Sequence, residues 1–148
     1  MKRILVFLLP AMVAIACEEK AGGYEVDNGC GLELKLVKMT SSWTGDESIG
    51  AKLEWQETIV LSNDSTFLKR RNHDGTTYEA AGRYAYVTYD DRRYVELTYD
   101  PRENNIRTSC LPNELIEVTS SRQYKNISWQ ACDGPVLEYE AHAARCGE

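Results

Sequence analysis

Apolar side chains recur at every second position through a series of short segments. That period decides what the chain can fold into, because alternate residues share a face only in a β-strand. "LELKLVKM" sets Leu32, Leu34 and Leu36 on one face. "KLEWQETIVLS" sets Trp55, Ile59 and Leu61 against Gln56, Thr58 and Ser62. "STFLKRR" follows the turn residues Ser62-Asn63-Asp64, and Asp74-Gly75 within "NHDGTT" is a strong hairpin signal. "YEAAGRYAYVTY" continues through "DDRR" into "YVELTY", where Val95, Leu97 and Tyr99 alternate. Ile116 with Val118, Ile127 with Trp129, and Leu137 with Tyr139 supply inward pairs for three last strands. The reading is all-β, with eight or nine strands and no internal repeat. The tail "YEAHAARCGE" is the best candidate for a helical turn, and it is short and uncapped.

The start of the chain has a different character. "ILVFLLPAMVAIAC" is apolar from Ile4 to Ala16, with Pro10 in its middle and Lys2 and Arg3 before it. A membrane-spanning helix needs about 20 apolar residues, so the run is too short to cross. A charged start, an apolar centre and small closing residues are the three regions of a signal peptide. Ala14-Ile15-Ala16-Cys17 resembles the lipobox of bacterial lipoproteins, in which the cysteine is acylated and becomes the new N-terminus. The resemblance implies a signal peptide over 1–16, lipid on Cys17, and a protein held on a membrane of the bacterial cell envelope. "EEKAGGYEVDN", Glu18 to Asn28, is small, polar and aperiodic, so residues 17–28 read as a flexible tether and 29–148 as the domain.

The chain carries a net charge of −6, and removal of Lys2 and Arg3 makes it more acidic. An acidic domain repels phosphate backbones, which excludes nucleic acid as a partner. The basic runs Lys69-Arg70-Arg71 and Arg92-Arg93 fall where a strand end and a hairpin turn are expected, so they read as solvated. With Cys17 acylated, Cys30, Cys110, Cys132 and Cys146 remain. An even number in an exported domain reads as two disulfides, with three possible connectivities. The strand pattern favours one of them. "NELIEVTSS" and "QYKNISWQ" form a hairpin flanked at its open end by Cys110 and Cys132, which leaves Cys30 and Cys146 to join the chain ends. No cysteine pair has metal-ligand spacing, so no metal and no cofactor are expected.

"ETIVLSNDSTFLKRRNHDGTTYEAAGRYAYV", followed by "YVELTYD", resembles the lipocalin-like domains of small bacterial lipoproteins. The shared features are a polar turn before a Thr66-Phe67 strand, a second turn, the Gly82-Arg83-Tyr84 strand and the alternating Val95-Glu96-Leu97 strand. Two positions depart from that pattern. The family places a Trp on its first strand, where this chain has Leu34 and a later Trp43. It also often has Gly where this chain has Ser65. The resemblance implies an eight- to nine-stranded antiparallel lipocalin-like (calycin) barrel, whose interior is either filled by side chains or holds one small ligand.

Alternation places Trp55, Phe67, Tyr84, Tyr86 and Trp129 toward that interior, as core packing or as the lining of an apolar ligand site. Glu57 shares the Trp55 and Ile59 face, and is either a pocket carboxylate or, at a strand end, solvated. His73 sits in a turn beside Asp74, and neither it nor His142 has a partner pattern. No nucleophile elbow, phosphate loop or paired-carboxylate spacing is present in the sequence, so an enzyme is not expected. Three functions stay open. The first is a barrel binding a small hydrophobic or amphipathic ligand. The second is an interaction module, inhibitor or accessory subunit of an envelope protein, docking through rim loops such as "TSSWTGDESIGAK" with Trp43 as anchor. The third, a hydrolase or isomerase, needs Glu57 or His73 facing a pocket beside another titratable group.

Overall fold

The computed structural model describes residues 30–101, 106 and 110–145. Among the described residues, nine strands run in chain order: β1 (Leu32–Thr40), β2 (Glu47–Ile49), β3 (Gln56–Leu61), β4 (Thr66–His73), β5 (Thr76–Tyr89), β6 (Arg92–Tyr99), β7 (Glu114–Val118), β8 (Gln123–Asn126) and β9 (Val136–Ala143). All pairings are antiparallel. From β3 to β9 each strand pairs with the next in sequence, and β1 pairs with both β3 and β9, which closes the sheet. The result is an eight-stranded up-and-down barrel, with short β2 as an extra strand beside the end of β1. Closure removes the exposed edges that an open sheet would leave.

Period-two patterning explains most of this. Leu32, Leu34 and Leu36 are buried, as are Ile59, Leu61, Val95, Leu97, Tyr99, Ile116, Leu137 and Tyr139. In β1 the register against β9 shifts between Leu36 and Lys38, and this bulge turns Met39 inward in place of the next even residue. Two hairpins are two-residue turns with positive φ at both positions: Asp74 (50°) and Gly75 (75°), then Asp90 (47°) and Asp91 (61°). That left-handed pair matches the twist of the flanking strands.

Strand direction defines two ends. The upper end carries the Ser41–Asp46 loop, the β4–β5 hairpin and the β8–β9 connection, and the lower end carries Cys30, the β3–β4 turn and the β5–β6 hairpin. Cys110 and Cys132 are joined at the upper end, with Cα atoms 5.7 Å apart, and clasp the β7–β8 hairpin as expected. Cys30 is also disulfide-bonded, while Cys146, like Cys17, lies outside the described residues. Two expectations are corrected. The tail beyond Tyr139 continues the expected Leu137–Tyr139 strand as far as Ala143, giving β9 rather than a helical turn there, because Leu137, Tyr139 and Ala141 alternate into the barrel. "NISWQ" does not continue β8. Ser128–Cys132 is a 3-10 turn, so Ile127 is exposed and Trp129 reaches the interior from a turn instead of a strand.

The residues at positions 65 and 82, at the lower end, have a steric basis. Gly82 pairs directly with Phe67, and a Cβ on Gly82 would strike the Thr98 carbonyl oxygen and the Phe67 ring. The space a side chain would need is taken by that ring, which meets Tyr99 edge-on at 5.1 Å between centroids. Ser65 sits at φ 65°, in the left-handed region that costs a side chain but not a glycine. The turn holds nonetheless. Thr66 donates from its N–H and its hydroxyl to Asp64 Oδ1, at 3.1 and 2.6 Å, and the Tyr84 hydroxyl donates to the Ser62 carbonyl at 2.9 Å. Ser65→Gly is expected to raise stability by about 0.5–1 kcal/mol, through relief of that conformation set against a looser unfolded chain. Equilibrium urea unfolding checks it, and a destabilised glycine variant would contradict it.

Candidate functional site

The core of the barrel holds four charges. Glu57 of β3, Lys69 and Arg71 of β4, and Glu114 of β7 are all buried, three of them 2% exposed or less. Each points inward for the same reason as its apolar neighbours. Glu57 precedes Ile59 by two residues, Lys69 and Arg71 follow Phe67 by two and four, and Glu114 precedes Ile116 by two. Register then brings them together. Arg71 Nε donates to Glu57 Oε2 at 2.6 Å, with its Nη2 2.5 Å from the same oxygen. Tyr139 donates its hydroxyl to Glu57 Oε1 at 2.6 Å. Lys69 Nζ lies 3.3 Å from Glu57 Oε1 and 3.0 Å from Glu114 Oε2, and donates to the Tyr99 hydroxyl at 3.2 Å. Asn126 donates from Nδ2 to Glu114 Oε2 at 3.1 Å.

The cluster holds two acids and two bases, so it is neutral as a unit. Burying an unpaired ion costs several kcal/mol, and these ions are buried only because each faces an opposite charge. Burial alone would push the Glu57 carboxyl up. The charges of Lys69 and Arg71, with hydrogen bonds from Tyr139 and Arg71, outweigh it and hold the carboxyl below the usual range. Burial, reinforced by Glu57 and Glu114, pushes the Tyr139 hydroxyl well up, and burial with Glu114 and Glu57 does the same to Tyr99. Both hydroxyls therefore stay neutral donors.

Two tryptophans cap the cluster at the upper end. The Arg71 guanidinium lies 4.2 Å from the Trp55 ring centroid and 4.7 Å from that of Trp129, and the two rings are 6.0 Å apart. The buried Trp55 and Trp129 indole N–H groups have no hydrogen-bond partner among the described residues.

Of the residues singled out from sequence, Trp55 and Trp129 meet at this cap, and Phe67 packs lower in the barrel. Tyr84 is half-buried at the lower end with its hydroxyl on the β3–β4 turn. Tyr86 departs from its expected inward packing: it is 44% exposed, with the Arg93 guanidinium 4.3 Å from its ring. It shares a face with Val95 but lies beyond the packed core. Trp43 is 78% exposed in the upper loop. His73 is partly exposed beside Asp74, and His142 lines an outer cleft with Glu33 and Arg70. The run Lys69-Arg70-Arg71 is a correction. Only Arg70 is solvated, paired with Glu79 at 2.6 Å, because the strand extends through all three residues and alternation carries the other two inside. Glu57 likewise is buried rather than solvated. Glu114 and Asn126 went unnoticed in the sequence, although the period from Glu114 to Ile116 to Val118 was available.

The larger clefts among the described residues lie outside the barrel. One of about 590 Å³ runs over Thr119–Lys125 and Glu138–Glu140, and one of about 650 Å³ over Glu33, Lys35 and Arg70. Chemically, the interior is a set of mutually satisfied charges. No family model, no curated protein and no solved structure matches this chain.

Glu57→Gln leaves Arg71 without its counter-charge and is expected to cost about 3–5 kcal/mol of stability, read by urea unfolding at neutral pH. The pH dependence follows from the depressed carboxyl. Its contribution is complete above the unfolded-state value of about 4.3 and is lost as pH falls through the lower folded value. Wild-type stability should therefore fall below about pH 4.3, and Glu57→Gln should lose less over the same window. Parallel acid profiles for the two proteins would contradict the assignment.

Proposed function

We propose that this protein is a lipid-anchored component of the bacterial cell envelope whose barrel is a filled scaffold for protein docking, as inhibitor or accessory subunit of an envelope protein. The observation that carries this reading is the position of Trp43. It stands 78% exposed at the end of the barrel opposite Cys30. β1 alone separates those points by roughly 27 Å, at about 3.3 Å per residue. A chain anchored through Cys17 would present the Trp43 loop away from the bilayer. The loop is fastened to the barrel by the Ser42 hydroxyl, which donates to the Gly134 carbonyl at 2.5 Å, and is shaped internally by the Trp43 and Asp46 N–H groups, which donate to the Ser41 and Thr44 hydroxyl oxygens. A large aromatic on a held loop loses little entropy on docking, which suits an interface anchor.

One observation favours a second reading. The unpartnered indole N–H groups of Trp55 and Trp129 would suit a small ligand with acceptor oxygens held under the cap, beside Arg71.

Cys17→Ser should move the protein from the membrane fraction to the soluble fraction. A photo-crosslinking residue at position 43, irradiated in intact cells, should give a discrete protein adduct, while one at Lys125 on the barrel wall should not. Equal labelling at both positions, or none at 43, would overturn the docking reading. Native mass spectrometry that finds a reproducible small added mass, lost in Trp55→Phe, would favour the second.

A further inference from the structure

We propose that Lys69 and Asn126 condense within the folded barrel into an intramolecular amide bond, with Glu114 as the acid–base group. The proposal rests on four side-chain and backbone positions that together make an acyl-transfer constellation. Lys69 supplies the nucleophilic amine, and Asn126 supplies a carboxamide whose Cγ is the electrophile. Glu114 Oε2 is shared between them: Lys69 Nζ lies 3.0 Å from it and Asn126 Nδ2 3.1 Å. One carboxylate oxygen thus touches both the attacking nitrogen and the leaving nitrogen, within the reach a general acid–base requires. The Ser128 backbone N–H donates to Asn126 Oδ1 at 2.9 Å, where negative charge would develop on attack. Lys69, Glu114 and Asn126 are all 0% exposed, so water that would compete or hydrolyse is excluded.

The step balances as follows. The Lys69 ammonium gives one proton to the Glu114 carboxylate, 3.0 Å away. The free amine attacks Cγ, and the tetrahedral oxygen is held by the Ser128 N–H. The amine proton passes through Glu114 to Nδ2, the Cγ–Nδ2 bond breaks, and ammonia leaves. The product is a Lys69 Nζ–Cγ Asn126 amide with Glu114 as a neutral acid. No oxidant or cofactor is consumed. The attack needs Nζ to approach Cγ to about 3–3.5 Å, from a position two hydrogen bonds away through one shared atom. Glu57 keeps its partner Arg71 afterwards, so the loss of the Lys69 charge strands no buried carboxylate. The bond would tie β4 to β8 across the interior, a covalent brace independent of redox conditions.

The test is the intact mass of the full chain as it is produced, reduced and denatured, followed by tryptic mapping. The expected result is a deficit of one ammonia, with a branched peptide joining the Lys69 and Asn126 segments and no cleavage after Lys69. Glu114→Ala should restore the full mass. Asn126→Asp, which keeps the shape of the site, should form the same bond with loss of one water, so both mature proteins have equal mass. Unmodified Lys69 and Asn126 peptides in the wild-type protein would overturn the proposal. A deficit without a branched peptide would also do so, since cyclisation of an asparagine on its own backbone gives the same loss.

Discussion

The interior pairing of Glu57 and Glu114 with Lys69 and Arg71 is the interaction on which the rest of the structure depends. An eight-stranded barrel encloses a space about as wide as its own side chains need, and here four of those side chains are ions. Exchange of any one of them for a neutral residue unbalances the charge of the cluster. The cluster draws on β3, β4 and β7, and its hydrogen bonds reach β6, β8 and β9 through Tyr99, Asn126 and Tyr139. A one-residue slip of any of these strands would turn its member outward. Charge compensation therefore fixes register in a way an all-apolar filling would not.

The two ends of the barrel are built for different tasks. At the upper end, Trp55 and Trp129 stack on Arg71, the Cys110–Cys132 bond clasps the β7–β8 hairpin, and the Trp43 loop is pinned to Gly134. At the lower end, the Ser62–Ser65 turn accepts strain at Ser65 and is held by Asp64 and Tyr84, while Gly82 makes room for Phe67. The interior lies between the end capped by the two tryptophans and the end that carries Cys30. Among the described residues, the exposed surface is formed by the rim loops and the outer wall.

How much of this was legible in the sequence depended on one rule and its exceptions. Period two placed the strands, and Asp74-Gly75 and Asp90-Asp91 marked hairpins correctly, because the left-handed turn is a local property. The same rule held at Lys69, Arg71 and Glu57, but charge was allowed to outweigh it. Composition says that such residues are rarely buried, and only register shows that their partners arrive across the barrel. Met39 was hidden by the bulge, which shifts the period within β1. The tail was misread because Ala141, Ala143 and Ala144 look helical, whereas pairing with β1 decides. Trp129 was placed inside for the wrong local reason, from a strand that ends at Asn126. The lipobox-like and tether-like stretches of the sequence lie outside the described residues.

The central claim is that the barrel is filled and capped, with one tryptophan outside and two inside. Acrylamide quenching of tryptophan fluorescence tests it most directly, with wild type compared to Trp43→Phe. The account predicts that the wild-type protein shows one readily quenched population, which disappears in the variant, leaving Trp55 and Trp129 protected. Free quenching of the two remaining tryptophans in the folded variant would mean an open mouth above Arg71, and would contradict the filled barrel.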